Sequence, residues 1–360
     1  MGRMLMLLAI LLGGQAGVGE TAERKRLNIY NWSDYVAPDT IGNFERESGI
    51  RVTYDVYDSN ETLEAKLFAG KTGYDVVVPS SAFLERLIKA GILRPLDKAK
   101  LANLGNLDAA IMRQLESKDP DNRHAVPYMW GTTGIGYNLA KVKERLADAP
   151  TGSLDMLFKP EIARRFADCG IALLDTPSEV LEIALNYLGL DPRTGKPEEL
   201  AKAQAMLLAI RPYVKYFHSS QYIDDLANGE ICLALGYSGD VFQARKRAKQ
   251  GVEVAYAIPK EGTLLWFDLM VIVKDARHPD NAHAFIDYIL RPEVAAKISD
   301  AVFYANPNAK ATALVNPAIA RDPAIYPTPE VMARLFTEKA VPREVSRART
   351  RVWQKVTSGK

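Results

Sequence analysis

RLNIYNWSDYVAPDTIGNFERESGIRVTYDVYD, residues Arg26–Asp58, decides the fold. The run from Leu27 to Trp32 reads as a short strand, and a helix carries Ile41 and Phe44 on its inner face. "IRVTYDVYD" reads as a second strand. The pattern continues outward. "ETLEAKLFAGK" sets Leu63 and Leu67 one helical turn apart, "YDVVVPSS" is a buried strand, and "AFLERLIKAG" puts Phe83, Leu84, Leu87 and Ile88 on one stripe. Strand, helix, strand, helix, strand implies an α/β fold with a mainly parallel sheet covered on both faces.

Around "HAVPYMWGTTGIGYNLA" the chain becomes extended and glycine-rich, and a second α/β series follows. It runs through "CGIALLDTP", helices over "SEVLEIALNYLG" and Pro197 to Leu208, and "GEICLALGYSGD". Two more strands, "GVEVAYAIPKEG" and "LLWFDLMVIVKDA", precede about eighty mostly helical residues broken by prolines. Gly131, Gly134 and Gly136 have neither dinucleotide nor P-loop spacing, so a backbone crossover is expected there and no phosphate cradle.

At 360 residues the chain is long enough for two domains; 48% hydrophobic and 25% charged residues are ordinary for a soluble protein. Arg3, the apolar run Met4 to Leu12 and the small residues of "GGQAGVGETA" form the pattern of a secretory signal peptide over 1–22, cut between about Ala16 and Ala22. No cysteine lies near that point, which argues against lipid attachment. Loss of Arg3 and Glu20 leaves the formal net charge at +2, and the absence of a polybasic block argues against nucleic acid as a partner. His124, His218, His278 and His283 lack metal-ligand spacing. Cys169 and Cys232, the only two cysteines, permit one disulfide in an exported protein or stand as two buried thiols.

Open α/β sheets bind ligands beyond the carboxyl ends of their strands. The residues expected there are biased in type. Trp32, Ser33, Asp34 and Tyr35 follow the first strand, Ser80 the third; Glu179 follows "IALLD", and Tyr237 and Asp240 follow "EICLALG". Trp266 and Asp268, two apart, point to one face of a strand. Singly, Asp34 or Asp240 could be a helix cap, Glu179 a first-turn acid and Trp266 plain core. Together, four carboxylates among aromatics, in segments without Arg or Lys, call for a ligand that brings the positive charge. That composition suggests an organic polyamine.

The same residues carry a resemblance. "YNWSDYVAPDTIGNFERESGI", "DVVVPSSAFLERLIKAGILRPLDKAKL", "VPYMWGTTGIGYN", "FHSSQYIDDLANGEICLALGYSGD", "VFYANPNA" and "RTRVWQKVTSGK" make the chain similar, over nearly its whole mature length, to the periplasmic putrescine/spermidine-binding proteins of bacterial ABC transporters. The resemblance implies a type II periplasmic binding protein: two α/β lobes joined by hinge crossovers near Trp130 to Thr133 and Ile258 to Lys260. Lobe 1 would span 27–131 and 260–307, lobe 2 132–259 and 308–360. By the same analogy Trp32, Tyr35, Trp266 and Tyr304 wall the cleft, with Ser33 and Asp34 at one amine and Ser80 and Glu61 on the same lobe. Glu179 would help hold one ammonium group, and Asp240 and Asp268 the other or the middle of the ligand chain. Relatives commonly have Trp where this chain has Tyr237, which makes this box smaller and adds a hydroxyl. Trp266 resembles the spermidine takers while much of the remaining sequence resembles putrescine binders, and the resemblance leans to spermidine with putrescine close behind.

It also implies a monomer without cofactor that docks on membrane permease subunits. Agmatine, cadaverine or spermine, or a sensing role, are the neighbouring alternatives. Paired acids and sugar-stacking aromatics also occur in secreted glycosidases, but no G-x-S-x-G nucleophile, metal set or acid/base pair supports an enzyme here.

Overall fold

The computed structural model describes residues 25–338 and 340–360; the expected signal peptide lies outside them. Ten strands form one curled sheet in the order β2-β1-β3-β10-β5-β8-β6-β7, with β4 on β10 and β9 on β5. β1 (Arg26–Trp32), β2 (Arg51–Tyr57), β3 (Val76–Val77) and β4 (Leu93–Arg94) come from the opening stretch. β5 is Ala125–Asn138; β6 (Ile171–Leu173), β7 (Val214–Phe217), β8 (Leu233–Tyr237) and β9 (Val254–Ala257) belong to the second series; β10 is Leu265–Val273.

β1 pairs in parallel with β2 and β3, and β6 in parallel with β7 and β8. The expected parallel character holds inside each half. The middle departs from it: β10 and β5 run antiparallel to their neighbours. β5 joins the halves, since Ala125 to Thr132 pair with β10 while Thr133 to Tyr137 pair with β8.

Period-two alternation explains why both faces are covered. Leu27, Ile29, Val76, Val78, Met270 and Ile272 enter one core cluster, while Tyr30, Val77, Leu269 and Val271 enter another on the opposite face. Helices Thr40–Ser48, Asn60–Ala69, Ser81–Lys89, Pro177–Tyr187 and Pro197–Ile210 fall where the periodicity places them. The proline breaks turn out to be helix starts: Pro177, Pro197, Pro279, Pro292, Pro317 and Pro329 each stand at a first helical position, where the missing N–H costs nothing.

The glycines of "GTTGIG" let β5 be approached closely. A Cβ on Gly131 would lie 2.8 Å from the Trp266 ring, and one on Gly134 2.5 Å from the Tyr256 hydroxyl. Cys169 and Cys232 form a disulfide with Cα atoms 5.4 Å apart, tying the entry of β6 to that of β8. Closing a loop of this length contributes roughly 4 kcal/mol in the chain-entropy account.

After Tyr304 the chain crosses back. Asn308 pairs with Leu107 and donates to the Leu290 carbonyl; Ala311, Val315 and Ile319 pack with Ala295 and Ala296, and Phe336 pairs with Leu264. The final helix, Arg343–Ser358, buries Trp353 and Val356 in the core it shares with the 177–187 and 197–210 helices. No described helix is long and apolar enough to cross a membrane.

Candidate ligand-binding cleft

The carboxyl ends of the parallel strands converge on a narrow cleft. Trp32, Ser33 and Tyr35 come from the end of β1, and Ser80 follows β3 beside Asp268 of β10, to which it is bridged. From the other half, Tyr237 ends β8, Asp240 stands in the first turn of helix Ser238–Arg247, and Glu179 stands in the first turn of helix 177–187.

Three carboxylates are buried here, each held by two hydroxyls. Asp268 accepts from Tyr35 Oη at 2.6 Å and Ser80 Oγ at 2.5 Å. Asp240 accepts from Tyr304 Oη at 2.6 Å and Tyr222 Oη at 2.8 Å. Glu179 accepts from Tyr237 Oη at 3.1 Å and Thr133 Oγ1 at 3.2 Å. Burial raises the pKa of Asp240 to about 6 and of Asp268 to about 7 against these donors. Glu179 is pushed up to about 8, by burial first and then by the charge of Glu61. Burial also holds Tyr35, Tyr222, Tyr237 and Tyr304 well above their ordinary pKa, so all four remain neutral donors.

The rings form a continuous wall. Trp32 meets Tyr237 edge-on at 6.4 Å, Tyr237 meets Trp266 at 5.8 Å, Trp266 meets Tyr304 at 5.2 Å, and Tyr304 meets Tyr35 at 5.2 Å. No Arg or Lys lines the cleft among the described residues. Carboxylates without a protein counter-ion, walled by aromatic faces, suit a cation with an aliphatic spine.

Ten of the twelve residues expected from the sequence line this cleft. Asp34 and Glu61 do not. Asp34, at φ 53°, turns its half-exposed carboxylate outward to Arg247 at 2.9 Å, so the segment after Asp240 does contain a cation for one of the four acids. Glu61 faces a neighbouring polar cavity with Glu64, Arg86, Glu338 and Arg349, and accepts from Ser178 Oγ at 2.9 Å. Burial raises its pKa, and its charge acts on Glu179 only through the field. Five lining residues escaped the sequence reading: Tyr57, Asp58, Ser219, Ser220 and Ile223. Tyr57 and Asp58 close β2 and Ser219 and Ser220 follow β7, so the strand-end rule itself would have found them.

The two α/β halves, joined through β5 and meeting over a cleft of buried acids and aromatic rings, define an extracytoplasmic solute-binding protein of the type II periplasmic class. The chain belongs to the bacterial extracellular solute-binding protein family, whose model matches residues 40–328. It is 54% identical to the putrescine-binding periplasmic protein SpuD of Pseudomonas aeruginosa, with 98% of each chain covered. It is 52% identical to the putrescine-binding periplasmic protein PotF of Escherichia coli, covering 98% of this chain and 96% of the relative. A solved structure described as a spermidine/putrescine ABC transporter from Listeria monocytogenes superposes with a TM-score of 0.85 at 34% identity, covering 93% of this chain and 100% of the other.

Proposed function

We propose that the protein captures an aliphatic polyamine, putrescine ahead of spermidine, by closing its lobes, and delivers it in the periplasm to the membrane subunits of an ABC importer. One observation carries the reading. Glu179, Asp240 and Asp268 are buried with hydroxyl partners only, so the positive charge that balances them must arrive with the ligand. The relatives at 54% and 52% identity are named for putrescine, which reverses the lean to spermidine taken from Trp266.

The ten lining residues form the ligand site in this reading, with ammonium groups at Asp240 and Asp268 and the methylenes between the rings. Closure is a population shift: a dication touching both walls stabilises the form in which Trp32 meets Tyr237 and Tyr304 donates to Asp240. In this reading lobe 1 spans 27–131 and 260–307 and lobe 2 spans 132–259 with the last helix, while 308–338 packs against Leu107, Leu264, Ala295 and Ala296. The protein acts as a monomer and catalyses nothing.

Calorimetric titration of ligand-stripped protein against putrescine, cadaverine, spermidine, spermine and agmatine, with glutamate and glucose as controls, tests this. Tight one-to-one binding with putrescine strongest is expected. Binding to none of the amines would end the proposal.

A further inference from the structure

Asn60 and Tyr222 lie outside the cleft lining, yet each touches a hydroxyl or carboxylate of the binding machinery. The direction of every hydrogen bond around them can be assigned, because each chain of bonds starts at a backbone N–H, a donor that cannot reverse. The N–H of Ser80 donates to Asn60 Oδ1 at 3.0 Å, which fixes the amide orientation. Asn60 Nδ2 must then donate to Ser80 Oγ, also at 3.0 Å. With one of its lone pairs so occupied, the Ser80 hydroxyl turns its proton to Asp268 Oδ1, the acceptor within reach.

Asp240 shows the same device twice. The N–H of Tyr237 donates to Tyr222 Oη at 2.9 Å, and Tyr222 passes its proton to Asp240. The N–H of Asp240 itself donates to Tyr304 Oη at 3.2 Å, and Tyr304 donates back to the carboxylate. A hydroxyl that already accepts such a bond keeps its own proton directed at the carboxylate, which favours the ionised, accepting form of the acid.

We infer that Asn60 and Tyr222 are positioning residues for ligand capture: by fixing the sense of the hydroxyls of Ser80 and of Tyr222 itself, they hold Asp268 and Asp240 as pure acceptors for an incoming ammonium. Asn60 acts through Ser80 and never touches ligand. The inference rests on the proposed reading of Asp268 and Asp240 as ammonium acceptors.

The test is a double-mutant cycle read by calorimetry with putrescine on the full mature chain: wild type, Asn60→Ala, Ser80→Ala and the double variant. Asn60→Ala is expected to weaken binding about tenfold, and the double variant to bind no more weakly than Ser80→Ala alone. A second readout is the pH at which affinity reaches half its plateau, expected to move upward in Asn60→Ala. The groups acting on Asp268 are Tyr35, Tyr57 and Tyr128 from its own side and Asp240 and Glu179 across the cleft. If Asn60→Ala does not fold, Tyr222→Phe is measured instead, with the same upward shift and about tenfold loss expected.

Independent, additive losses at Asn60 and Ser80 with an unmoved pH profile would overturn the inference for Asn60, and an unmoved profile with unchanged affinity in Tyr222→Phe would overturn it for Tyr222. If wild type itself ignores putrescine, the proposed function falls instead.

Discussion

Asp268 and Glu179 are both buried acids in one cleft, both bonded by two hydroxyls, yet they are built differently. Ser80, one of the donors to Asp268, is locked by Asn60. Neither donor to Glu179 shows such a lock, its bonds are longer at 3.1 and 3.2 Å, and Glu61 adds a like charge behind it. Burial penalises both anions, so donors and neighbouring charges decide which ionises more readily. The order is about 7 for Asp268 and about 8 for Glu179, with Asp240, doubly locked, at about 6.

The sharpest way to break this contrast is a matched pair of isosteric changes. Asp268→Asn keeps the volume but leaves an ammonium without its counter-ion in a closed cleft, a loss of about 3 kcal/mol or roughly a hundredfold in affinity. Glu179→Gln, at the position most readily kept neutral, should cost about tenfold or less at pH 7. Calorimetry on both variants decides it. Equal losses would mean that the carboxylates act as one pooled charge and that the hydroxyl arrangement is incidental.

Proton uptake sharpens the same comparison. In the folded protein these carboxyls keep their protons up to about pH 6, 7 and 8, while in the unfolded chain they lose them near 4. The unfolded state therefore binds fewer protons in that window. The stability these three groups contribute is fully present below about pH 4 and is lost as pH rises through the folded values. A dication reverses the sign, because it binds the ionised form. Putrescine affinity should rise from pH 5 to 8, and binding at pH 7 should release protons, measurable by titration in two buffers of different ionisation enthalpy. A buffer-independent enthalpy would contradict the raised values.

Tyr237→Trp comes next in size. It removes the hydroxyl that donates to Glu179 and enlarges a ring already 5.8 Å from Trp266 and 6.4 Å from Trp32. A neutral hydrogen bond is worth about 1 kcal/mol, so affinity should change severalfold and the ratio among putrescine, cadaverine and spermidine should shift more than the melting temperature does. An unaltered ligand profile would show that this wall does not read chain length.

Much of this was legible from Arg26 onward, because alternation of apolar residues dictates the strand faces and strand ends dictate where polar side chains collect. Nine of the lining residues followed from that rule, and Tyr304 from the resemblance. What escaped it was of two kinds. Asp34 lies between lining residues Ser33 and Tyr35, and its positive φ of 53° turns the side chain away, which composition does not encode; Glu61, in the first turn of helix Asn60–Ala69, faces the neighbouring cavity instead. Asn60 and Tyr222 act on atoms 20 and 18 residues away, and only folding brings those partners within 3 Å. The antiparallel middle of the sheet was hidden for a similar reason: the glycine-rich stretch marks the crossover of β5, but the direction in which β5 and β10 run is set by partners distant in sequence.

The smallest effect separates the cleft acids from the rim. Asp34 shares its ion pair with an Arg247 whose side chain is 42% exposed, and its own is 40% exposed, so water and salt screen the pair. It also joins the two walls, since Gln243 Nε2 donates to the Asp34 carbonyl at 3.3 Å. Asn tolerates a positive φ as well as Asp does, so Asp34→Asn removes the charge without straining the backbone. Equilibrium affinity for putrescine should fall less than about threefold, within the small worth of exposed pairs. What should change is the dissociation rate and its salt dependence: a contact across the mouth of the cleft resists opening, and salt weakens it in the wild type but has nothing left to weaken in the variant. Stopped-flow release of putrescine at low and high salt reads this directly. A loss approaching that of Asp268→Asn would place Asp34 at the ligand after all, with Arg247 moving aside, and the division between buried acceptors and an exposed rim would not stand.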